Sequence, residues 1–230
     1  SIFEEGQVLS FNKPLYWTSF DLVNKVRSLI RSSLKIKKIK VGHAGTLDPL
    51  ASGLMIICTG RATKRIDEFR DLDKEYVATI HLGATTPSFD LETETDNHYP
   101  TDHITEESVL EAIKGFLGEQ KQLPPMYSAK QIDGKRAYEF ARKGIQKDLT
   151  PVTVFFREIE LLSFGMPDTK LRLVCSKGTY IRSFARDFGE TLKSGAYLSA
   201  LERTAIGSYH VKNAFDIEKF NDFIEQTKQN

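Results

Sequence analysis

Cysteine is scarce in this sequence, which argues against a disulfide scaffold or a zinc site built on Cys-x-x-Cys pairs. The 230 residues contain two cysteines, Cys58 and Cys175, and neither has a second cysteine at that spacing. Cys58 lies in the apolar run LMIIC, a pattern that predicts a buried thiol in a reducing compartment. The sequence leaves open a disulfide between the two cysteines.

Long apolar segments are absent as well. No stretch approaches the run of about 20 apolar residues that a membrane-spanning helix needs. The first residues, SIFEEGQVLSFNKP, lack the charged-then-apolar pattern of a secretory signal. We therefore expect a cytoplasmic protein without membrane association. A chain of this length can form one sizeable core, with or without an inserted lobe.

The net charge of +1 conceals two regions of opposite sign. Between Leu22 and Leu47 there are seven basic residues and no acidic one, whereas no lysine or arginine occurs between Glu75 and Ile113. The basic residues are Lys25, Arg27, Arg31, Lys35, Lys37, Lys38 and Lys40. The basic region could bind phosphates, although a solvated helix face followed by a lysine-rich loop has the same composition.

Apolar periodicity and turn residues predict mixed secondary structure. Predicted strands cover residues 7–12, 54–58, 76–82, 152–164, 170–176 and 203–211. One predicted helix begins after Thr18, and five others cover residues 62–70, 105–117, 136–143, 180–193 and 215–226. Thr18 with Asp21 three residues later has the form of a capping box. Without strict alternation of strands and helices, an α+β domain is favoured over a doubly wound sheet.

The densest concentration of reactive and glycine residues is VGHAGTLDPLASGLMIICTG, residues 41–60. Its glycines let the backbone approach a ligand closely, but no G-x-x-x-x-G-K-[ST] phosphate loop is present. Asp48 precedes a proline, which places it outside helical geometry. An aspartate before proline usually serves the turn alone. The proximity of His43, Gly45 and Thr46 makes Asp48 a candidate catalytic carboxylate.

Three further segments carry candidate residues. In CSKGTYIRSFAR, Arg182 falls in the first turn of a helix, where a cation is unfavourable unless an anion is near; a surface arginine is the plainer alternative. An arginine beside Asp48 would favour the ionised carboxylate that nucleophilic catalysis requires. In KEYVATIHLG, Tyr76 could stack on a base or be a core tyrosine. The segment 122–142 combines prolines, aromatic and basic residues suited to RNA, or forms an ordinary solvated loop.

Together these segments resemble the TruB family of tRNA pseudouridine-55 synthases, from NKP near the N-terminus to LERT at residues 201–204. GHAGTLDPLASGLMIICTGRATK is similar to the family signature around the catalytic aspartate, which falls on Asp48. KEYVATIHLG resembles the strand with the active-site tyrosine, Tyr76, and CSKGTYIRSFARDFG the segment with the active-site arginine, Arg182. LPPMYSAKQIDGKRAYEFARKG resembles an insertion that grips tRNA, and LERTAIG a pocket-lining strand with Leu201 as its apolar wall.

This resemblance implies a pseudouridine synthase fold, a mixed and mainly antiparallel sheet flanked by helices. It implies one catalytic domain over 1–230, with an RNA-gripping insertion at about 121–150. The implied reaction isomerises uridine 55 in the T loop of tRNA, without metal or organic cofactor. We expect base flipping, with His43 filling the vacated space and Tyr76 stacking on the extruded base. The remaining residues expected to contact substrate are Gly45, Thr46, Leu47, Asp90, Lys130, Tyr180 and Leu201.

Asp90 has a more specific predicted role, a second carboxylate contact to Arg182, because a guanidinium can bridge two acceptors. Two features depart from the family pattern. Tyr16 and Trp17 stand where members usually have glycine after Lys-Pro-x, so the turn after Lys13 should differ. Members often carry a C-terminal PUA domain, which we do not expect here. RNA binding would then rest on the catalytic domain, the basic 25–40 region and the insertion, with steep salt dependence. We expect a monomer without an obligate protein partner.

Three other functions were weighed. A glycoside hydrolase needs two carboxylates at a set separation, for which Asp48 and Asp90 are available, but Arg182 and the RNA-type segments would then have no role. An RNA-binding or RNA-chaperone protein without catalysis would not need Asp48, Tyr76 and Arg182 together. A zinc nucleobase deaminase is excluded because H-x-E with P-C-x-x-C is absent.

Overall fold

The computed structural model describes residues 1–228. Its helices are α1 (Ile2–Glu5), α2 (Ser19–Leu34), α3 (Ile66–Arg70), α4 (Glu106–Phe116), α5 (Ala137–Arg142), α6 (Ile181–Thr191) and α7 (Ile217–Thr227), with 3-10 turns at Gly60–Arg65 and Val211–Asn213. Among these described residues, no helix is both long and apolar enough to cross a bilayer.

Strands account for most of the remaining regular structure. They are β1 (Val8–Lys13), β2 (Val41–His43), β3 (Ala51–Thr59), β4 (Lys74–Leu82), β5 (Ala84–Thr85), β6 (Asn97–His98), β7 (Gly118–Gln122), β8 (Gln131–Ile132), β9 (Lys135–Arg136), β10 (Val152–Ser163), β11 (Asp168–Cys175), β12 (Ala196–Ile206) and β13 (Tyr209–His210). The main sheet has the order β1-β3-β12-β4-β11-β10-β7, and β2 and β13 add to β3 and β12. The pairs β1–β3, β2–β3, β10–β11, β7–β10 and β12–β13 are antiparallel.

The chain divides into two compact units. Unit 1 contains Ser1–Tyr76 and the described residues from Glu202 onward, and unit 2 is Val77–Leu201. The prediction of one catalytic domain with an insertion at about 121–150 stays a prediction. That segment contains the β8–β9 hairpin, whose turn is Asp133-Gly134 as predicted, and α5.

The N-terminal strand of unit 1 is packed by phenylalanine rings. Phe11 on β1 is fully buried, and its ring centroid lies 4.9 Å from that of Phe220 on α7. Phe215 donates its N–H to the carbonyl of Ser10 at 2.8 Å, which ties the chain before α7 to β1. Burying one such ring contributes about 1.5–3 kcal/mol. This packing fixes β1, and therefore the position of Lys13 at its end.

Helix α2 begins as the sequence predicts. The Thr18 hydroxyl accepts the N–H of Asp21 at 3.0 Å, and the Asp21 carboxylate accepts the N–H of Thr18 at 2.8 Å. These hydrogen bonds from Thr18 lower the pKa of Asp21. The buried stripe of α2 includes Leu22 and Val26, as its helical spacing predicts.

In unit 2, phenylalanines from α4, β10 and α6 pack together. Phe184 of α6 lies 5.0 Å from Phe116, 5.3 Å from Phe156 and 5.6 Å from Phe188, measured between ring centroids. Phe156, Phe184 and Phe188 are at most 2% exposed. This cluster holds α6, the helix that carries Arg182, against the sheet.

Several predicted boundaries are wrong. The strand predicted at 203–211 begins at Ala196 and stops at Ile206, because Gly207 takes φ 54 and forms a two-residue turn into β13. The helix predicted at 62–70 starts as a 3-10 turn, in which the Thr63 hydroxyl donates to the Gly60 carbonyl. β7 was missed because its sequence, GEQKQ, has no apolar alternation.

Candidate active site

The candidate catalytic carboxylate, Asp48, lies on the loop between β2 and β3 in unit 1. The loop is held by backbone and side-chain hydrogen bonds from both sides. Ser19 donates its hydroxyl to the Leu47 carbonyl at 3.1 Å, and this hydroxyl accepts the Leu47 N–H at 2.9 Å. Ala51 donates its N–H to the Asp48 carbonyl at 3.0 Å. Asp48 itself is half-buried, so its position is fixed while it keeps access to solvent.

Arg203 on β12 holds the same loop in place through hydrogen bonds to its backbone. It is 2% exposed and donates to three backbone carbonyls: Leu54 at 2.8 Å, Gly45 at 3.2 Å and Thr46 at 3.3 Å. A guanidinium offers five donors in a rigid plane, which lets it serve several acceptors. Sequence reasoning missed this residue, although it stands inside the LERTAIG motif, where a charged residue within a buried strand was a usable signal.

Gly53 on β3 allows a close approach between β3 and β12, directly after the loop. Its φ is 113, and a Cβ built there would lie 2.3 Å from the carbonyl oxygen of Arg203. A side chain would therefore push the two strands apart as well as strain the backbone. The glycine permits the close approach that brings the Arg203 guanidinium under the Asp48 loop.

Lys13 is a buried cation near Asp48. Its ammonium donates to the carbonyls of Pro14 at 2.9 Å and Trp17 at 2.6 Å, and the side chain is fully buried. Burial lowers the pKa of Lys13 to about 8, although the negative charge of Asp48 acts in the opposite direction. Lys13 thus holds the turn after β1 and contributes positive charge to the surroundings of Asp48.

His43 ends β2 and is partly buried. Its Nδ1 accepts the N–H of Gly45 at 3.3 Å. Burial lowers the pKa of His43, and the charge of Arg203 acts in the same direction. A ring whose Nδ1 is an acceptor is neutral, with its proton on Nε2. A neutral, flat ring is suited to packing against bases.

Tyr76 lies on β4, where every second residue is buried, as predicted from the alternation. The side chain is 8% exposed. Its location on a strand is therefore confirmed, whereas its stacking on a base stays a prediction.

In unit 2, Arg182 occupies the first turn of α6 and has an anion beside it. Its Nε lies 3.9 Å from Asp90 Oδ2, and both side chains are less than 10% exposed. A second guanidinium nitrogen donates to the Tyr127 carbonyl at 2.6 Å. The other carboxylate oxygen of Asp90 accepts the Ser88 hydroxyl at 2.7 Å and the Glu92 N–H at 2.9 Å. The predicted contact between Asp90 and Arg182 is present, and the catalytic role of Asp90 stays a prediction.

The chain that enters the 121–150 segment is anchored to the same helix. Ser183 donates its hydroxyl to the Leu123 carbonyl at 2.8 Å, and Arg186 donates to that carbonyl at 3.2 Å. With the bond from Arg182 to Tyr127, α6 fixes both ends of 123–127. Arg182 therefore links the Asp90 loop to the segment predicted to grip RNA.

The remaining predicted residues of unit 2 are less constrained. The backbone of Tyr180 is held by the Gln122 amide, which accepts its N–H at 2.8 Å and donates to its carbonyl at 3.1 Å. Lys130 donates to the Thr150 carbonyl at 3.0 Å, so it closes the base of the segment. Leu201 on β12 is half-buried.

The two units thus assemble two groups of candidate residues. In unit 1 these are His43, Gly45, Thr46, Leu47 and Asp48, with Arg203 and Lys13 supporting them. In unit 2, Arg182 and Asp90 are paired. The pairing of Asp48 with Arg182 stays a prediction.

Known proteins are similar to this chain in sequence and in fold. The profile of the TruB family pseudouridylate synthase (N terminal domain) matches residues 31–181. The tRNA pseudouridine synthase B of Parabacteroides distasonis is 59% identical, with 97% of this chain and 95% of that protein covered. The protein of the same name from Phocaeicola vulgatus is 58% identical with the same coverage.

Among solved structures, a Cbf5-Nop10-Gar1 complex contains a chain that superposes with a TM-score of 0.71 at 27% identity. The alignment covers 98% of this chain and 56% of that one. The predicted α+β pseudouridine synthase fold is confirmed by this likeness. On the family match and the identity along nearly its whole length, this chain belongs to the TruB family of pseudouridylate synthases, which are isomerases.

Proposed function

We propose that this enzyme acts on tRNA and converts uridine 55 of the T loop to pseudouridine, with Asp48 as its catalytic carboxylate. The coarser part, a tRNA pseudouridine synthase, is supported by relatives of that name at 58% and 59% identity. The assignment of Asp48 as the catalytic carboxylate is supported by the way its loop is held. Arg203, Ser19 and the close approach at Gly53 hold its backbone while the carboxylate keeps access to solvent.

In the proposed reaction, the N1–C1′ glycosidic bond of uridine breaks and a C5–C1′ bond forms. The base first leaves the stack of the T loop, because Asp48 cannot reach a stacked nucleotide. Asp48 then either attacks the nucleotide or removes a sugar proton, and both routes require the ionised carboxylate. The uracil rotates and rejoins through C5, which loses its hydrogen as a proton while N1 gains one. The proton released from C5 balances the one gained at N1, so the composition of the nucleotide is unchanged and no co-reactant is consumed.

The other side chains have supporting roles in this proposal. Neutral His43 fills the space of the extruded base, and Tyr76 stacks on that base within the pocket. Arg182 pairs with Asp48 and keeps its carboxylate oriented, while Asp90 fixes the plane of the guanidinium. A carboxylate held in place before the reaction in this way needs little rearrangement during it.

The geometry of Asp90 argues against the glycoside hydrolase alternative. A second catalytic carboxylate must be able to reach a water molecule or a sugar. The Asp90 side chain is buried, with one oxygen bonded to Ser88 and Glu92 and the other near Arg182. Its carboxylate is committed to structure rather than to substrate.

The position of modification is tested by mapping pseudouridine along an unmodified tRNA transcript after incubation with the enzyme. Carbodiimide adducts that stop reverse transcription should appear at residue 55 alone. A transcript with cytidine at that position is the matched control and should give no stop. Stops at other uridines with none at 55 would contradict the assigned site while leaving the pseudouridine synthase activity intact.

A further inference from the structure

Two exposed aromatic side chains lie where β1 leads into α2, Tyr16 in the turn and Phe20 in the first turn of the helix. Tyr16 is 74% exposed and Phe20 65%, the two highest values for large hydrophobic side chains among residues 1–228. Leu15 between Pro14 and Tyr16 is also exposed, at 44%. Apolar side chains grouped on a surface in this way mark binding sites more often than scattered ones do.

Tyr16 takes a backbone conformation that disfavours a tyrosine. Its φ is 70, in the left-handed region that glycine adopts without strain and bulky residues rarely adopt. This is the position at which the family pattern has glycine. The chain therefore keeps a glycine-type turn but places a ring on it, and backbone outliers of this kind are commonest at functional sites.

This turn is joined directly to the catalytic loop. Tyr16 donates its N–H to the Pro49 carbonyl at 2.6 Å, immediately after Asp48. Three residues further on, Ser19 is bonded to Leu47 in both directions. The backbone of Tyr16, which carries the exposed ring, is thus held next to Asp48, the residue on which the proposed chemistry depends.

The adjoining surface offers a depression and a positive charge. A shallow, open depression of about 430 Å³ is lined by Trp17, Asp21, Asn24 and Lys25. Asp21 is its acidic member, and its carboxylate already accepts the N–H of Thr18. Beyond it, the exposed Lys25 is followed by further basic residues up to Lys40, with no acid among them.

We propose that Tyr16 and Phe20 form a stacking platform for an unpaired base of the RNA substrate next to the target uridine, with Lys25 contacting a phosphate. Aromatic faces with a basic flank are the usual means of holding single-stranded nucleotides, since every base has a face to stack. The charge of the flank selects a polyanion over a neutral protein surface. This inference rests on the proposed function, because it assigns the platform to the same RNA.

The test measures binding of a T-arm stem–loop RNA in an Asp48→Asn background, where no turnover occurs. Tyr16→Gly restores the residue suited to this backbone, and we expect it to weaken binding by roughly 5- to 150-fold through loss of one stacked base. Its melting temperature should not fall, because the strained φ is relieved. Tyr16→Phe keeps the ring and should bind like the parent protein. Phe20→Leu should weaken binding and Phe20→Tyr should not.

Three controls separate stacking from charge, from general surface loss and from effects that do not involve the base. The factor lost in Tyr16→Gly should be the same at low and high salt, whereas Lys25→Met should lower the log–log salt slope by about one. Leu110→Ala removes a 45% exposed apolar side chain from α4 and should leave RNA binding unchanged. An abasic residue at the stacked position should cost less affinity in Tyr16→Gly than in the parent protein, because the Tyr16 ring and the base are coupled.

The outcomes are distinguishable from those of the proposed function. Unchanged RNA binding in both Tyr16→Gly and Phe20→Leu, with an active wild type, would overturn the platform alone and leave protein docking as the use of this surface. A wild type that neither binds nor modifies tRNA would remove the proposed function and the platform together.

Discussion

Arg203 should be the residue whose loss most clearly links stability to catalysis. The substitution Arg203→Met keeps the buried apolar stem but removes donors from three backbone carbonyls, those of Leu54, Gly45 and Thr46. Hydrogen bonds to a charged group contribute about 1.5–3 kcal/mol each, with long ones at the weak end. At the weak end of this range the three bonds sum to about 4.5 kcal/mol, and removing a buried charge returns part of that, so we expect a net loss of roughly 3 kcal/mol in the free energy of unfolding.

For a chain of this size, about 1 kcal/mol shifts the melting temperature by roughly 2–4 °C, so the expected decrease is roughly 6–12 °C. Turnover should fall as well, because the loop that presents Asp48 loses its brace. A misplacement of about 1 Å can lower kcat by roughly 100-fold. KM for tRNA should change little, since Arg203 is 2% exposed and so is not accessible to RNA.

The assay combines thermal unfolding with single-turnover kinetics below the melting temperature of the variant. Arg203→Lys is the matched control: it retains the charge but cannot reach three carbonyls, so both effects should be intermediate. If Arg203→Met melted with the wild type and turned over at its rate, the bracing of the Asp48 loop would be refuted. A loss of stability with a normal kcat would limit the role of Arg203 to stabilising the fold.

Three further predictions follow from the same geometry. Asp90→Asn should lower kcat with little change in KM, because Arg182 loses the anion that fixes its plane; unchanged turnover and tRNA affinity would withdraw that role. Gly53→Ala should prevent stable folding, since its Cβ would lie 2.3 Å from a backbone oxygen. In the control Gly115→Ala on α4, the new Cβ meets no atom within 4 Å. Urea unfolding should show that this control gains up to about 1 kcal/mol in the free energy of unfolding. Between pH 8 and 10.5 the unfolded chain holds the Lys13 proton that the folded chain releases. Lys13 should therefore make the free energy of unfolding rise with pH, by at most about 1.4 kcal/mol per pH unit. Urea unfolding across that range should show that Lys13→Met abolishes this contribution.

The parts of the fold that the sequence predicts are those with strong local signals. The capping box of Thr18 and Asp21, the alternation of β4 and the apolar run of β3 each specify their element through neighbouring residues. β7 has polar residues throughout and becomes a strand only because β10 pairs with it. The turn at Gly207 was missed because a single glycine does not by itself show that a hairpin closes there.

The candidate site is predictable to the extent that its residues lie in compact motifs. The sequence offers Asp48 and Arg182 as candidates, and their catalytic roles stay predictions, whereas the contact of Arg182 with Asp90 is present. A charged residue in a buried strand was a usable signal for Arg203, but its partners lie about 150 positions earlier in the chain, where the sequence does not show them. The turn at Tyr16 was recognised as a departure, but its left-handed backbone is visible only in three dimensions.

The central claim is that Asp48 carries the isomerisation of uridine in tRNA. The most direct measurement is tritium release from an unmodified tRNA transcript labelled at uridine C5, with wild type and Asp48→Asn compared at equal tRNA occupancy. Rejoining through C5 expels that hydrogen, so the wild type should release tritium and Asp48→Asn should release none. Release by Asp48→Asn at the rate of the wild type, or no release from any tRNA by a wild type that binds it, would contradict the account.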